Sequence, residues 1–289
     1  MQPKKKKIVL ITGCSSGFGM LTAVHLASHG HEVYATMRNL DKRDRLLEHA
    51  REQKADLRLM RLDVTQKRSI QEVIAAIKKD YGRLDVLINN AGYGLGGFFG
   101  DINDREYRGQ METNFFGVLN VTRTALPLLH KSKDARIINV SSVAGLTATP
   151  GMGAYNASKW ALEAFGESLR FELLPFGIKV LMVEPGPYPT EVLGDNARFA
   201  HHADSKKSRY YPYTMRLYRM YQKRNRNVKS NPMAVARLMK KLVERRNPRF
   251  RNIIGPTARL RSRLRRFLPW RPYQWIIKSI IYGRSNSKV

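Results

Sequence analysis

Short apolar runs alternate with longer segments of helical periodicity along the first two-thirds of the chain. Residues 8–12, IVLIT, form a β-branched run that stops at Gly13, and 20–29 then carry a helical pattern. A second short strand is expected at 32–36, EVYAT, followed by a charged helical stretch from Asp41 and another strand within LRLMRLDV at 57–64. Helical periodicity returns at 66–80, and LDVLINNAG at 84–92 is a buried strand running into a turn. A long helix is predicted over about 104–130, a strand at 135–142, a helix at 153–174 and a strand at 178–186. Several of the strands are near-continuous apolar runs, as expected where both faces of a sheet are covered. The pattern predicts an α/β fold, a doubly wound parallel sheet with helices on both faces. No internal repeat or low-complexity linker interrupts it.

Composition narrows the class. The chain has 289 residues, 43% of them hydrophobic, which is ordinary for a globular protein. No run approaches the roughly 20 apolar residues that span a bilayer. The start, MQPKKKKIVLITG, has a lysine run, but the apolar stretch behind it is too short for a secretory leader, so a cytoplasmic location is expected. The single cysteine, Cys14, excludes an internal disulfide framework and a Cys-rich zinc site. The seven histidines show no metal-ligand spacing, and the adjacent His201 and His202 are expected in a surface loop.

Charge changes the picture more. The formal net charge is +29, and it is lopsided: residues 1–194 carry 26 basic and 20 acidic side chains, whereas 195–289 carry 26 basic and 3 acidic. Such asymmetry points to an anionic partner, whether a membrane surface, nucleic acid or an acidic substrate carrier.

Three stretches carry candidate chemistry. In TGCSSGFG at 12–19, glycines at 13, 17 and 19 sit between a strand and a helix. That arrangement allows a tight turn, close approach of a pyrophosphate and exposure of the helix N-terminal amides to it, although an ordinary strand–helix turn has the same look. Cys14 within the loop has two readings, a redox-sensitive thiol near a helix N-terminus or a small residue filling a turn. The second strand ends in ATMRN, with Arg38, Lys42 and Arg43 where a carboxylate would hold a ribose 2′-hydroxyl; basic residues there favour NADP over NAD, the alternative being a solvated basic surface. In AYNASKW at 154–160, Tyr155 and Lys159 are four apart and share a helical face. A cation beside a phenol lowers its pKa, which would make the pair a tuned acid.

Together these motifs resemble the short-chain dehydrogenase/reductase family over residues 8 to about 190. TGCSSGFG is similar to its cofactor loop, which implies contacts from Gly13, Ser15, Ser16, Gly17, Phe18 and Gly19. LDV at 62–64 resembles the segment beside the adenine, implying Asp63 and Val64, and NNAG at 89–92 implies Asn90, Ala91 and Gly92. Asn114 in METNFFG, Ser142 in NVSSVAG (13 residues before Tyr155) and YNASK complete a catalytic set of Asn114, Ser142, Tyr155 and Lys159. PGPYPT at 185–190 resembles the segment that touches the nicotinamide, implying Pro185, Gly186 and Thr190. The resemblance implies a Rossmann-type fold and an NADP(H)-dependent interconversion of carbonyl and alcohol. Tyr155 would be the acid or base, Lys159 would lower its pKa and hold the ribose, Ser142 would orient the carbonyl, and Asn114 would hold a water leading to solvent. VYATMR and ESLRFELLPFGIKV are similar to the 17β-hydroxysteroid and retinol dehydrogenase branch, and the ending LPWRPYQWIIKSI to bacterial oxidoreductases of that branch, which implies a bacterial source. A homodimer or homotetramer, pairing through the helices at about 104–130 and 153–174, is a further implication.

Beyond Thr190 the resemblance weakens. The chain is expected to divide into a domain at 1–256, with a substrate loop at about 191–230, and a basic helical extension at 257–289. Tyr210, Tyr211, Tyr213, Tyr218 and Tyr221 line a pocket in one reading and serve as core and surface residues in the other. In the extension, Leu260, Leu264, Phe267 and Leu268 share a helical face, arginines cover the remainder, and Trp270, Tyr273 and Trp275 follow. A basic amphipathic segment with aromatics suits an anionic bilayer surface; the alternatives are a helix docked on its own domain and, least favoured, nucleic acid. The expected substrate is lipophilic: a retinoid, a steroid or a fatty acyl ketone. The rivals are a 3-oxoacyl group on an acidic carrier and a non-catalytic protein that senses NADP(H).

Overall fold

The computed structural model describes residues 6–188, 198–227, 230–255 and 257–282. In chain order, β1 (Ile8–Ile11), α1 (Gly17–Ala27), β2 (Glu32–Met37), α2 (Asp44–Glu52), β3 (Arg58–Arg61), α3 (Lys67–Tyr81) and β4 (Val86–Asn89) form the first half. After a two-residue strand β5 (Leu95–Gly96) come α4 (Asp104–Met111), α5 (Gly117–Leu129), β6 (Arg136–Val140), α6 (Gly153–Glu172) and β7 (Lys179–Pro185). The C-terminal third holds β8 (Arg198–Phe199), α7 (Tyr211–Asn227), α8 (Met233–Glu244), β9 (Arg251–Ile254), α9 (Ala258–Phe267) and α10 (Trp270–Tyr282).

Seven strands make one parallel sheet in the order β3-β2-β1-β4-β6-β7-β9, and β5 pairs with β8 separately. The order reverses between β1 and β4, which opens a crevice at the carboxyl ends of those strands where such sheets bind ligands. One face is covered by a core that includes Met20, Val24, Leu46, Val235 and Met239, and the other by one that includes Ile70, Val73, Val121, Leu128 and Leu169. Burial on both faces explains why β1 and β4 are apolar at every position or nearly so.

Two features of the expected layout come out differently. The predicted helix over 104–130 is α4 and α5 joined by a π-helical stretch, Glu112–Phe116. β9 has no counterpart in the sequence expectations. Its four residues are only half-buried at the sheet edge and two of them are polar, so no apolar run advertises it. The buried Arg136 guanidinium donates to the carbonyl oxygens of Leu242 and Arg245 and so ties the end of α8 to the sheet. No described helix is long and apolar enough to cross a membrane.

Candidate active site

The loop between β1 and α1 is shaped by its glycines. Gly13 has φ +74°, and a Cβ on it would stand 2.7 Å from Cα of Ala91. A Cβ on Gly19 would stand 2.2 Å from the Gly13 carbonyl oxygen and 2.4 Å from Nδ2 of Asn90. Asn90 in turn donates to the carbonyl oxygens of Thr12 and Gly13, both at 2.9 Å, and the Thr12 hydroxyl accepts from the amides of Asn90 and Ala91. The loop and the strand β4 terminus are thus locked together, with the first-turn amides of α1 facing the crevice and no acid among them. This cradle fits a dinucleotide pyrophosphate on geometry alone. Thr12, which pins both sides, was not singled out from the sequence; its hydroxyl role becomes visible only when β1 and β4 are neighbours.

Cys14 is fully buried, donating from its backbone N–H to Thr36 and from its thiol to Ile11, and burial pushes that thiol up to about 12. A buried thiol of that kind is a packing residue, not a redox switch. Arg38 is exposed directly after β2, close enough to Tyr93 to act on its phenol, and no carboxylate stands between Met37 and Asp41. Asp63 is buried and accepts from the amide and hydroxyl of Thr65, which fixes the turn after β3; Val64 packs on Gly117. Asn89 bridges to Thr122 and Asn139 at 3.0 and 2.9 Å and steadies the middle of the sheet.

Around the crevice the residues of the expected catalytic set converge. Tyr155, in the first turn of α6, is nearly buried and its hydroxyl is hydrogen-bonded to Ser142 at the end of β6. Lys159 Nζ donates to the Val140 carbonyl at 2.9 Å and stands 5.9 Å from the Tyr155 ring centre. Asn114 lies in the π-helical stretch, where the wider turn directs its side chain inward. Its Nδ2 donates to the Tyr93 carbonyl (3.0 Å) and the Ser158 hydroxyl (3.2 Å), and its Oδ1 accepts from the Tyr93 amide (3.1 Å). A Cβ on Gly92 would sit 3.0 Å from Asn114 Oδ1 and 3.8 Å from Lys159 Nζ, so both groups close on that glycine.

The electrostatics depart from the sequence expectation. Burial pushes the Tyr155 phenol up to about 12, and burial also brings the Lys159 ammonium down to about 8. Lys159 Nζ is turned to a backbone carbonyl, and desolvation sets the direction at the Tyr155 phenol. The resulting Tyr155 is a protonated hydroxyl throughout the neutral range, able to donate to a carbonyl oxygen.

A buried charge cluster behind Lys159 was also missed. Glu163 follows Lys159 by one turn of α6 and pairs with Arg251 of β9, which also lies 3.6 Å from Glu184 of β7. Glu184 accepts from the Asn252 amide at 2.7 Å, and burial first, then Glu163, pushes its carboxyl up to about 8. In the unfolded chain a glutamate titrates near 4.3. Below that pH both states hold the proton and the site contributes its full stability; as pH rises through about 8 the folded state loses it and that contribution disappears. Glu184→Gln, neutral at every pH, should therefore gain on the wild type by a few kcal/mol between pH 5 and pH 8.5, read as the difference in urea midpoints. A pH-independent difference would show that Glu184 is ionised in the fold.

A cavity of about 490 Å³ runs from Ser142 and Tyr155 out to the C-terminal helices. Phe98, Gly151 and Met152 form one wall, Thr214, Leu217, Tyr218 and Tyr221 of α7 another, and Leu260, Tyr273, Ile277 and Ile281 of α9 and α10 a third. Of the tyrosines singled out from the sequence, Tyr218 and Tyr221 line the cavity, Tyr210 stacks on Phe98 at 5.2 Å and Tyr213 packs edge-on against Tyr282. Pro185 and Gly186 reach the cavity at the end of β7, whereas Thr190 lies outside the described residues. His201 and His202 are exposed.

Residues 7–199 match the family model for short chain dehydrogenases. The chain belongs to that family. This short-chain dehydrogenase is 39% identical over 281 residues to the uncharacterized oxidoreductase YusZ of Bacillus subtilis (strain 168), covering 96% of this chain and 99% of that one. It is 37% identical over 279 residues to the 3-ketodihydrosphingosine reductase of Bacteroides thetaiotaomicron, covering 96% and 98%. Among solved structures it is similar to a short chain dehydrogenase/reductase from Burkholderia phymatum in complex with NAD, with a TM-score of 0.78, 29% identity and coverage of 92% and 95%. The protein is an NAD(P)(H)-dependent oxidoreductase of this family, and its glycine loop and crevice fit a nicotinamide dinucleotide.

Proposed function

We propose that this short-chain dehydrogenase is an NADP(H)-dependent reductase of lipophilic ketones or aldehydes, of the branch that resembles retinol and 17β-hydroxysteroid dehydrogenases. The observation that carries the reading is the cavity: two hydroxyls, from Ser142 and Tyr155, at its inner end, and aliphatic and aromatic walls along most of its length. In this reading the domain at 1–256 holds the cofactor and the extension from 257 completes the cavity wall.

Gly13, Ser15, Ser16, Gly17, Phe18 and Gly19 would hold the pyrophosphate, Asp63 and Val64 the adenine, and Asn90, Ala91, Gly92, Pro185 and Gly186 the nicotinamide half. Thr190 would join them. When bound, the nicotinamide supplies or accepts the hydride. The chain's own residues manage the oxygen. Ser142 donates a hydrogen bond that fixes the carbonyl oxygen, and Tyr155 gives it the proton, or takes one in the reverse direction. Lys159, an ammonium below about pH 8, stabilises the phenolate left behind and would reach the ribose. Asn114 holds the Tyr93 backbone in place beside Lys159, and a water on its Oδ1 would lead the replacement proton inward.

The 3-ketodihydrosphingosine reductase is a relative whose name states a long-chain lipid ketone, and the cavity here suits a similar chain. Arg198, Arg261 and Lys159 are the charged side chains among the described wall residues, and no carboxylate stands there to meet an ammonium. A neutral lipid ketone is therefore expected to be preferred over a cationic amino-ketone. NADPH consumption against retinal, a keto-steroid, a long-chain ketone, its amino-ketone counterpart and carrier-linked 3-oxoacyl groups tests the reading. Turnover confined to the carrier-linked substrate would favour the second reading, for which the basic surroundings of the cavity mouth are the supporting observation.

Cofactor choice has its own test. Arg38→Asp should repel a 2′-phosphate and offer a ribose hydroxyl a partner, so the ratio of kcat/KM for NADPH over NADH is expected to fall about ten-fold or more. A wild type that already prefers NADH would overturn the assignment of Arg38.

A further inference from the structure

Helices α9 and α10 have two kinds of surface. Ala258, Tyr273 and Ile281 are buried against the domain, and a Cβ on Gly186 would meet Ala258 at 3.0 Å, so the pair is docked on the fold. Elsewhere on the same helices Phe267, Trp270 and Trp275 are 73%, 61% and 61% exposed. None of these three lines the cavity. Leu260, Leu264 and Ile280 do line it and are exposed as well, so the interior apolar surface continues outward to the helix faces. Phe199, Tyr218 and Met220 extend the same exposed rim on β8 and α7.

Charge accompanies this apolar rim. Neither helix contains an acidic residue. Arg259, Arg263, Arg266 and Arg271 are exposed, and Arg265 lies over the rings of Trp270 and Tyr273 at 5.3 and 5.6 Å. Three large aromatics this exposed within nine residues, next to the apolar cavity rim, mark an interaction surface more than an ordinary water-facing one. Tryptophan and arginine together suit the lipid headgroup region, where rings enter the acyl boundary and guanidiniums stay at the anionic surface.

We propose that α9 and α10 dock on an anionic lipid bilayer and set the mouth of the cavity at its surface, so that a lipid ketone passes to Tyr155 without crossing water. The inference rests on the lipophilic-substrate reading above. An acidic carrier protein would also meet the arginines, but phosphate headgroups over an acyl layer complement both the cations and the exposed rings that these two helices carry.

The test uses the full chain, sedimented with vesicles of phosphatidylcholine alone or with one-quarter phosphatidylglycerol. Binding is expected on the anionic vesicles at 0.1 M salt, at least about ten-fold weaker at 1 M salt, where the Debye length shrinks from about 10 to about 3 Å, and slight on neutral vesicles. Two variants separate the components: Phe267→Ser with Trp270→Ala and Trp275→Ala, and Arg263→Glu with Arg266→Glu and Arg271→Glu. Each should lower partitioning at least about ten-fold and slow turnover of a long-chain ketone dissolved in vesicles, while a short water-soluble ketone and the circular dichroism spectrum stay unchanged. Turnover of long-chain ketones from detergent micelles without any vesicle binding would overturn the docking and leave the substrate reading standing. Vesicle binding that responds to both variants, with no lipophilic ketone consumed in any form, would uphold the docking and sink the substrate reading. Variants that release the protein from vesicles without slowing the vesicle-borne ketone would overturn the delivery role, as would activity that ignores vesicles and rises on an acidic carrier protein.

Discussion

Tyr155→Phe should lower kcat at least about 100-fold while the dissociation constant of the cofactor changes less than about three-fold. The substitution removes one hydroxyl and almost no volume, so the wall of the cavity is kept. What goes is the hydroxyl beside Ser142 in the cavity wall, the group that the proposed function makes the proton donor. Burial keeps that hydroxyl protonated to about pH 12 when nothing is bound, so it is available as an acid across the whole neutral range. Water is a poor replacement in a pocket walled by apolar side chains. The loss should fall on kcat and kcat/KM together, because the donated proton matters in the transition state and not in binding. A phenylalanine variant with near-normal turnover would remove Tyr155 from the chemistry.

Gly19→Ala should weaken cofactor binding at least about 100-fold, a larger effect than one methyl group has on most helices. Alanine is a better helix former than glycine by roughly 1 kcal/mol, so helix propensity alone predicts a gain. The added Cβ, however, would lie 2.2 Å from the Gly13 carbonyl oxygen and 2.4 Å from Asn90 Nδ2. Neither neighbour can yield cheaply. Gly13 is held at φ +74° against Ala91, and Asn90 is hydrogen-bonded to both Thr12 and Gly13. The loop must open, and the amides at the start of α1 then lose their aim. Gly30→Ala is the control: it has φ +84° but open space around it, so it should cost stability of about 1 kcal/mol and leave cofactor binding alone. Calorimetric titration with the cofactor and thermal melts read both. Equal cofactor affinity for Gly19→Ala and the wild type would mean that the glycine loop is not the cradle.

The sheet was legible because its strands are buried on both faces: runs such as IVLI and VLIN have no other home in an α/β chain. Ser142, Tyr155 and Lys159 were legible as spacings, and the fold brings them to one place. The electrostatic sign at Tyr155 was not. It depends first on how far the phenol is desolvated, and that does not follow from a four-residue interval. The cluster of Glu163, Glu184 and Arg251 was hidden for a related reason. Its members come from α6, β7 and β9, and in sequence each is an ordinary charged residue. The tail was half legible. Its amphipathic pattern pointed to an apolar face, but that pattern cannot say which apolar residues turn inward to the cavity. The structure divides them, with Tyr273 and Ile281 inside and Phe267, Trp270 and Trp275 outside.

The seventh strand carries a consequence for synthesis. β7 ends at Pro185 and its outer neighbour β9 begins at Arg251, with α7 and α8 between them. At translation rates of about 5–20 residues per second, the interval before β9 appears lasts roughly 3–13 seconds. During it the nascent sheet ends at β7, whose Met182–Pro185 stretch, the part that β9 later pairs with, presents an unpaired edge. Glu184 and Glu163 lack Arg251 for the same period. Until the C-terminal third emerges and β9 seals the sheet, that edge is a template for pairing with a second nascent copy.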